Sequence, residues 1–304
     1  MSKPLPKEDF RATRFSLEPS DFALGSEFPD PPPRDLISKK TWNDIVSLPD
    51  DVAIRTSNDF GGILKDVVEF QSELVCVSLA MQDLQISTGR KKQDSPILYV
   101  LLPVSEDLAA SIYNATTGYY RAAFSALRNV VENMAIGLHL ELSGDHALFQ
   151  SWVSNGDLMF GPVADTISRC KAIHELEEHL SAATGDNFFR QRKQKSLHDS
   201  GGFARRLFGG LSRYTHGRPG YTDGDMRESN GPVFVPKAFI EWAIAFVQAY
   251  GFGLIVCRLA QPNLRSLGTW SKNSLEGLFN QATARLRPQD DGTKLFQNLP
   301  VKFW

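Results

Sequence analysis

From Trp242 to Cys257 sixteen residues pass without a charge, inside a run from Lys237 to Ala260 that is the most hydrophobic of the chain. Such a run must be enclosed, because apolar surface left in water costs about 25 cal/mol per Å². Sixteen residues fall short of the roughly 18–20 of a membrane span, and Gln248, Gly251 and Gly253 interrupt the run. The expectation is a central buried helix rather than a membrane helix. It ends at Pro262.

The segments available to surround it carry helical periodicity. From Phe60 to Thr88, Ile63, Leu64, Val67, Val68, Leu74, Val75, Leu79 and Leu84 recur at three and four, which predicts a long amphipathic helix running into Gly89-Arg90-Lys91-Lys92. Ile97 to Val104 is a short apolar run, a strand or a buried connector, which Pro103 leaves open. Ser105 reads as the N-cap of a pattern reaching about Leu142, which Gly118 splits in two. In its second half, small residues on one side allow close packing, and Arg128 and Glu132, four apart, share a face. Further helices are predicted over 145–155, 163–183 and 203–216, and a last one from Ser274 to Arg287. No repeat and no strand–helix alternation appears. The fold class is mainly α, a bundle of seven or eight helices.

Residues 1–35 carry Pro4, Pro6, Pro19, Pro29 and Pro31-Pro32-Pro33, and read as an extended arm preceding a single helical domain over 36–304. Residues 217–236, with four Gly and three Pro, form a loop too long for a plain connector. With 33 basic and 35 acidic residues the net charge is −2, so no global field recruits nucleic acid or an anionic membrane. Cys76, Cys170 and Cys257 are far apart and odd in number, and read as buried free thiols of a reducing compartment. The N-terminus lacks the apolar core of a signal peptide, so a cytoplasmic location is expected.

Chemistry is sparse. No Gly-rich phosphate loop or dinucleotide fingerprint is present, and no cofactor is expected. His174-Glu175-Leu176-Glu177-Glu178-His179 looks like a zinc protease motif, but its two His are five apart and lie about 140° round a helix from each other. It reads as a solvated helix face, and no metal is expected. The best candidate is the helix Phe203 to His216, closed by Gly217 and Pro219. His216 lies at its C-terminus, where unpaired carbonyls favour a protonated imidazole and Arg213, three residues earlier, opposes it.

Leu127-Arg128-Asn129-Val130-Val131-Glu132 in an early helix, followed by Leu211-Ser212-Arg213-Tyr214-Thr215-His216-Gly217 at the end of a later one, resembles the helical domains of the HEPN superfamily over residues 105–260. That resemblance implies a HEPN-like bundle in a bacterial anti-phage defence or toxin–antitoxin protein. Active members are metal-independent RNases that use an Arg, four to six residues, then a His, usually across a homodimer interface. A homodimer, or a protein partner within a defence complex, is thus implied, with RNA as substrate. The chain departs from the pattern at His216, where Gly209, Gly210 and Leu211 occupy the positions open to that Arg. Arg169 with His174 and Arg192 with His198 fit the spacing, but six His with three allowed spacings each make such matches expected by chance.

In an active site of this kind His216 would be the base for the ribose 2′-hydroxyl, Arg213 or Arg128 would hold the phosphate, and Glu132 would orient either. The alternative is structural: Arg128 and Glu132 form a buried ion pair and His216 is a latch between helices. On that reading the protein is a non-catalytic interaction module whose Pro-rich arm and 217–236 loop hold a partner.

Overall fold

The structure is a computed structural model that describes residues 39–87, 89, 95–154, 156–190, 201–215 and 232–261. Among the described residues there are eight helices and no strand: α1 (Lys39–Ser87), α2 (Pro96–Thr116), α3 (Tyr120–Ser143), α4 (His146–Val153), α5 (Phe160–Arg169), α6 (Lys171–Thr184), α7 (Phe203–Thr215) and α8 (Pro236–Ala260). The protein is a mainly α, multi-helix bundle. The chain separates into two units, 1–50 and 51–304; α1 begins in the first, and the packing set out below belongs to the second.

Helix α8 is buried round nearly its whole circumference, from Phe239, Trp242 and Phe246 to Tyr250, Phe252 and Val256. Because every face is apolar, it is enclosed by α1, α2, α3 and α7. Its polar atoms are met inside this shell. The Trp242 indole N–H donates to Ser111 Oγ at 2.8 Å, and that hydroxyl donates to the Ala123 carbonyl at 2.9 Å, tying α8 to α2 and α3. Helix α3 is the second hub, packing on α2, α5, α7 and α8. Gly137 lets it close on α2, since a Cβ there would stand 2.6 Å from Val100 Cγ2.

Several boundaries differ from the sequence reading, each for a local reason. The long first helix continues upstream of Phe60, which is its kink, with φ −130° and ψ 21°. Ile97 to Val104 is neither strand nor connector but the start of α2. Ile97, Leu98, Val100, Leu101, Val104 and Leu108 are buried at helical spacing, so Ser105 lies inside the helix and Ser95 takes the N-cap position. Pro103 is tolerated because it is exposed, where the carbonyl it leaves unbonded is open to water. The split at Gly118 is present: its φ is 85°, and the backbone of Val233 crosses so closely that a Cβ would meet it at 2.6 Å. The segment read as one helix over 163–183 is two, broken at Cys170 with φ −67° and ψ 134°. The buried positions slip phase there, from Val163 and Ile167 to Ile173, Leu176 and Leu180, six residues separating Ile167 from Ile173. One helix cannot keep both sets on one face. Of the three thiols, only Cys257 is buried; Cys76 is exposed on the outer side of α1 and Cys170 is half-buried. The arm over 1–35, the helix over 274–287 and most of the 217–236 loop lie outside the described residues.

One buried carboxyl joins α1 to α8. Glu73 Oε2 accepts the Tyr250 hydroxyl at 3.0 Å, while Oε1 has no partner among the described residues. Burial raises the Glu73 pKa above the ordinary 4.5, the Tyr250 bond opposing that shift. Tyr250 is pushed well above 10 by burial and by the carboxylate, and burial pushes the Cys257 thiol up to about 12. A carboxyl whose folded pKa lies above its unfolded value contributes stability that is complete below the unfolded value and is lost as pH rises through the folded one. Glu73→Gln keeps an acceptor for Tyr250 and removes the buried charge. It is expected to raise the melting temperature at pH 7, with the difference shrinking as pH falls toward 4.5. Thermal melts of both proteins across that range check it; a gain that does not shrink would rule out ionisation as the cause.

Candidate functional site

The position of α7 is set at its first turn by a carboxylate on another helix. Glu177 of α6 is fully buried and accepts the backbone N–H groups of Phe188 (2.8 Å), Phe189 (2.6 Å) and Arg190 (2.9 Å). The turn so held offers its own carbonyls to the start of α7, Asn187 to Phe203 N at 2.8 Å and Phe188 to Ala204 N at 2.9 Å. Two charged pairs reinforce the joint: Arg205 with Asp165 at 2.6 Å, and Arg206 with Asp186. From there Phe203, Ala204, Leu207 and Leu211 bury one face of α7.

The same helix meets α3 along two arginines seven residues apart. Arg128 donates from Nε to Ser212 Oγ at 3.2 Å, pairs with Glu132 at 3.0 Å, and lies with its guanidinium carbon 4.8 Å over the Phe208 ring. Phe208 in turn stacks on Phe160 at 4.1 Å. Two turns earlier, Arg121 donates to the last carbonyls of α7, from Nε to Tyr214 at 2.9 Å and from Nη2 to Thr215 at 3.3 Å. Phe124 stacks on Tyr214 at 3.9 Å, and the Ser125 and Thr215 hydroxyls stand 3.4 Å apart. A cation at a helix C-terminus is stabilised by the carbonyls it satisfies, so Arg121 caps α7.

The structure thus brings together Arg128, Glu132 and the C-terminal half of α7, as the sequence reading paired them. The Arg128–Glu132 pair is not deeply buried, with side chains 21% and 23% exposed. Three of the five guanidinium N–H groups of Arg128 are used by Ser212 and Glu132. The other two have no partner among the described residues. Arg213 follows Ser212 and is exposed. His216, and with it the expected Gly217 cap, lies outside the described residues, which end in this region at Thr215.

The remaining candidates are placed differently from their sequence reading. The His174 to His179 stretch is not wholly a solvated face: His174, Glu175, Glu178 and His179 are exposed, but Leu176 and Glu177 are buried, because Glu177 holds the turn beneath it. His174 Nε2 stands 2.8 Å from Arg190, while Arg169 is exposed on α5. Arg192 and His198 are outside the described residues. No group of three or more metal-ligating side chains is present among the described residues. Sequence reasoning missed Arg121, although its spacing of seven from Arg128 puts both on one face of α3. It also missed Glu177, for which no local signal exists. His139, half-buried on α3, is the one described histidine whose pKa burial lowers.

Removing the Glu177 acceptor orphans three backbone donors at once, each at about 1–3 kcal/mol when buried. Arg128→Ala leaves Glu132 within reach of water, a loss of about 1 kcal/mol. Urea denaturation is expected to rank Glu177→Ala well below Arg128→Ala; equal stabilities would mean that the 188–190 turn finds other acceptors. The chain matches no family model, no curated protein and no solved structure, which leaves the residues of this junction to carry its functional reading.

Proposed function

We propose that this chain is a HEPN-like protein of a bacterial anti-phage defence or toxin–antitoxin system that acts on RNA where α3 meets the C-terminal end of α7. The observation that carries the reading is the grip of Arg121 and Arg128 on the last turns of α7, which His216 directly follows. Covalent geometry keeps the His216 Cα about 3.8 Å from that of Thr215. Thr215 is itself held through its carbonyl by Arg121 and stands with its hydroxyl beside Ser125.

Cleavage at such a site forms a bond from the ribose 2′ oxygen to phosphorus and breaks the one from phosphorus to the 5′ oxygen. The products are a 2′,3′-cyclic phosphate and a 5′ hydroxyl. His216 takes the 2′-hydroxyl proton, and the leaving 5′ oxygen takes one from solvent. Exposed Arg213 and the two remaining N–H groups of Arg128 stabilise the charge that grows on the phosphate oxygens. Glu132 fixes the Arg128 fork.

A second reading, a non-catalytic interaction module, is favoured by one observation: both arginines already serve structural bonds within the fold. There His216 is a latch, and losing it costs about 1–3 kcal/mol. On the catalytic reading His216→Ala changes stability by less than about 0.5 kcal/mol. The expected result is RNA cleavage by the wild type, loss of cleavage in His216→Ala and in Arg213→Ala, and unchanged melts for both. Equal cleavage by wild type and His216→Ala removes His216 from catalysis; a melt lowered by several degrees with no cleavage by either assigns it to the latch.

A further inference from the structure

The side of α1 turned away from α8 carries a ridge whose two halves complement each other. Lys65, Ser72, Cys76, Leu79 and Asp83 follow at intervals of seven, four, three and four, and all five are exposed. Val68 and Ile86 flank them, and the three large apolar side chains of the ridge are 47 to 61% exposed. An exposed apolar residue standing singly needs no explanation, but an aligned row does. At 100° per residue, the eighteen steps from Lys65 to Asp83 make five full turns. The two charges therefore stand in one line about 27 Å apart, with the level of Leu74 midway between them. Asp83 meets no cation among the described residues, and Lys65 reaches Glu69 of its own helix at 3.7 Å, an exposed pair worth little in water.

A second α1, reversed about the level of Leu74, matches this ridge. A two-fold axis across the helix keeps each flank on its own side, so Lys65 comes opposite Asp83 of the partner subunit and Val68 opposite Leu79 of the partner subunit. Gly61, where a Cβ would meet nothing within 4 Å, comes opposite Ile86 of the partner subunit and leaves room for it. At the centre Ser72 faces Cys76 of the partner subunit, both small enough for the two helices to close. Parallel pairing would instead set Lys65 against Lys65 and Asp83 against Asp83, so charge selects the reversed arrangement. An anionic membrane would gain from Lys65 and lose to Glu69 and Asp83. Helix α2 adds to the centre of the ridge. Gln71 bonds to Ser105 at 3.3 Å and Gln85 to Ser95 at 2.6 Å, so α2 runs antiparallel beside α1 and Leu102, 61% exposed, stands level with residues 74 to 78. Tyr99, packed edge-on against Phe149 and Trp152, takes no part.

We propose that two copies of this chain pair through α1, antiparallel about a two-fold axis at the level of Leu74, with Lys65 of each meeting Asp83 of the partner subunit. None of these residues belongs to the α3–α7 junction, so the pairing is independent of the RNA reading. Light scattering is expected to give a dimer for the wild type and a monomer for Leu79→Asp at the same concentration. Leu79 is exposed, so the circular dichroism spectrum is expected to be unchanged. Lys65→Asp alone and Asp83→Lys alone each bring like charges together twice per dimer, and each is expected to weaken self-association about tenfold. An equimolar mixture of those two variants is expected to recover the wild-type affinity as a heterodimer, because each chain supplies the charge the other lacks. A short bis-maleimide is expected to join the exposed Cys76 of both chains, whose Cα atoms would stand roughly 8 Å apart, and Cys76→Ser to abolish the cross-link. Three results would overturn the proposal: a wild type that stays monomeric, whether or not it binds anionic vesicles; a dimer that Leu79→Asp leaves intact; or a mixture of the two charge variants that associates no better than either alone.

Discussion

A helix apolar on all sides dictates what must surround it, and here that helix is α8. Its enclosure alone would be satisfied by several arrangements, since hydrophobic burial has no direction. Direction comes from the few polar atoms that α8 takes inside. The Trp242 indole must find an acceptor, and Ser111 provides one only if α2 passes at a single height. The Ser111 hydroxyl then needs an acceptor of its own, and the Ala123 carbonyl fixes where α3 begins. Three helices are registered by two hydrogen bonds, each costly to leave unmade in a dry interior. The bond from Val235 N to the Tyr120 hydroxyl at 3.2 Å secures the same corner at the start of α8.

The junction of α3 with α7 inherits this registration at one end and the Glu177 clamp at the other. A carboxylate accepting three backbone N–H groups turns an irregular segment, 188–190, into a rigid platform, and α7 starts from it. With the start held, the far end of α7 falls beside α3, where Arg121 takes its last carbonyls. The same carbonyls are the ones that, on sequence grounds alone, favour a protonated imidazole at position 216. Arg121 supplies that positive charge from outside α7.

Much of this architecture is legible in the sequence because helical burial leaves a periodic trace. The α1 pattern from Ile63 to Leu84 and the Arg128–Glu132 spacing rest on that trace, while the run 237–260 is read from its unbroken hydrophobicity and the split at Gly118 from the glycine itself. Reading failed where one signal masked another. Ile97 to Val104 is short and holds a proline, yet its buried residues keep helical spacing through Leu108. At Cys170 the period continues but its phase slips, which a search for spacing passes over. Glu177 was out of reach for a different reason: its partners are main-chain groups eleven to thirteen residues away, and main-chain groups have no sequence. Cys76 shows the reverse error, an apolar residue type taken for a buried one.

The two arginines of α3 also show why residue type alone does not separate structure from function at this junction. A guanidinium has five N–H donors in a plane, so it can brace a helix with some and keep others for an anion. Arg121 spends its contacts on carbonyls at the end of α7, a use that fixes geometry and nothing more. Arg128, its side chain 21% exposed, is held by Glu132, Ser212 and the Phe208 face while two donors have no partner among the described residues. A charge pinned in this way loses little side-chain entropy on meeting a phosphate, because its rotamer is already fixed. The bonds that favour a purely structural reading of Arg128 are therefore the same bonds that preorganise it for an anion. Structure and chemistry compete here only for donors, and the count of donors leaves room for both.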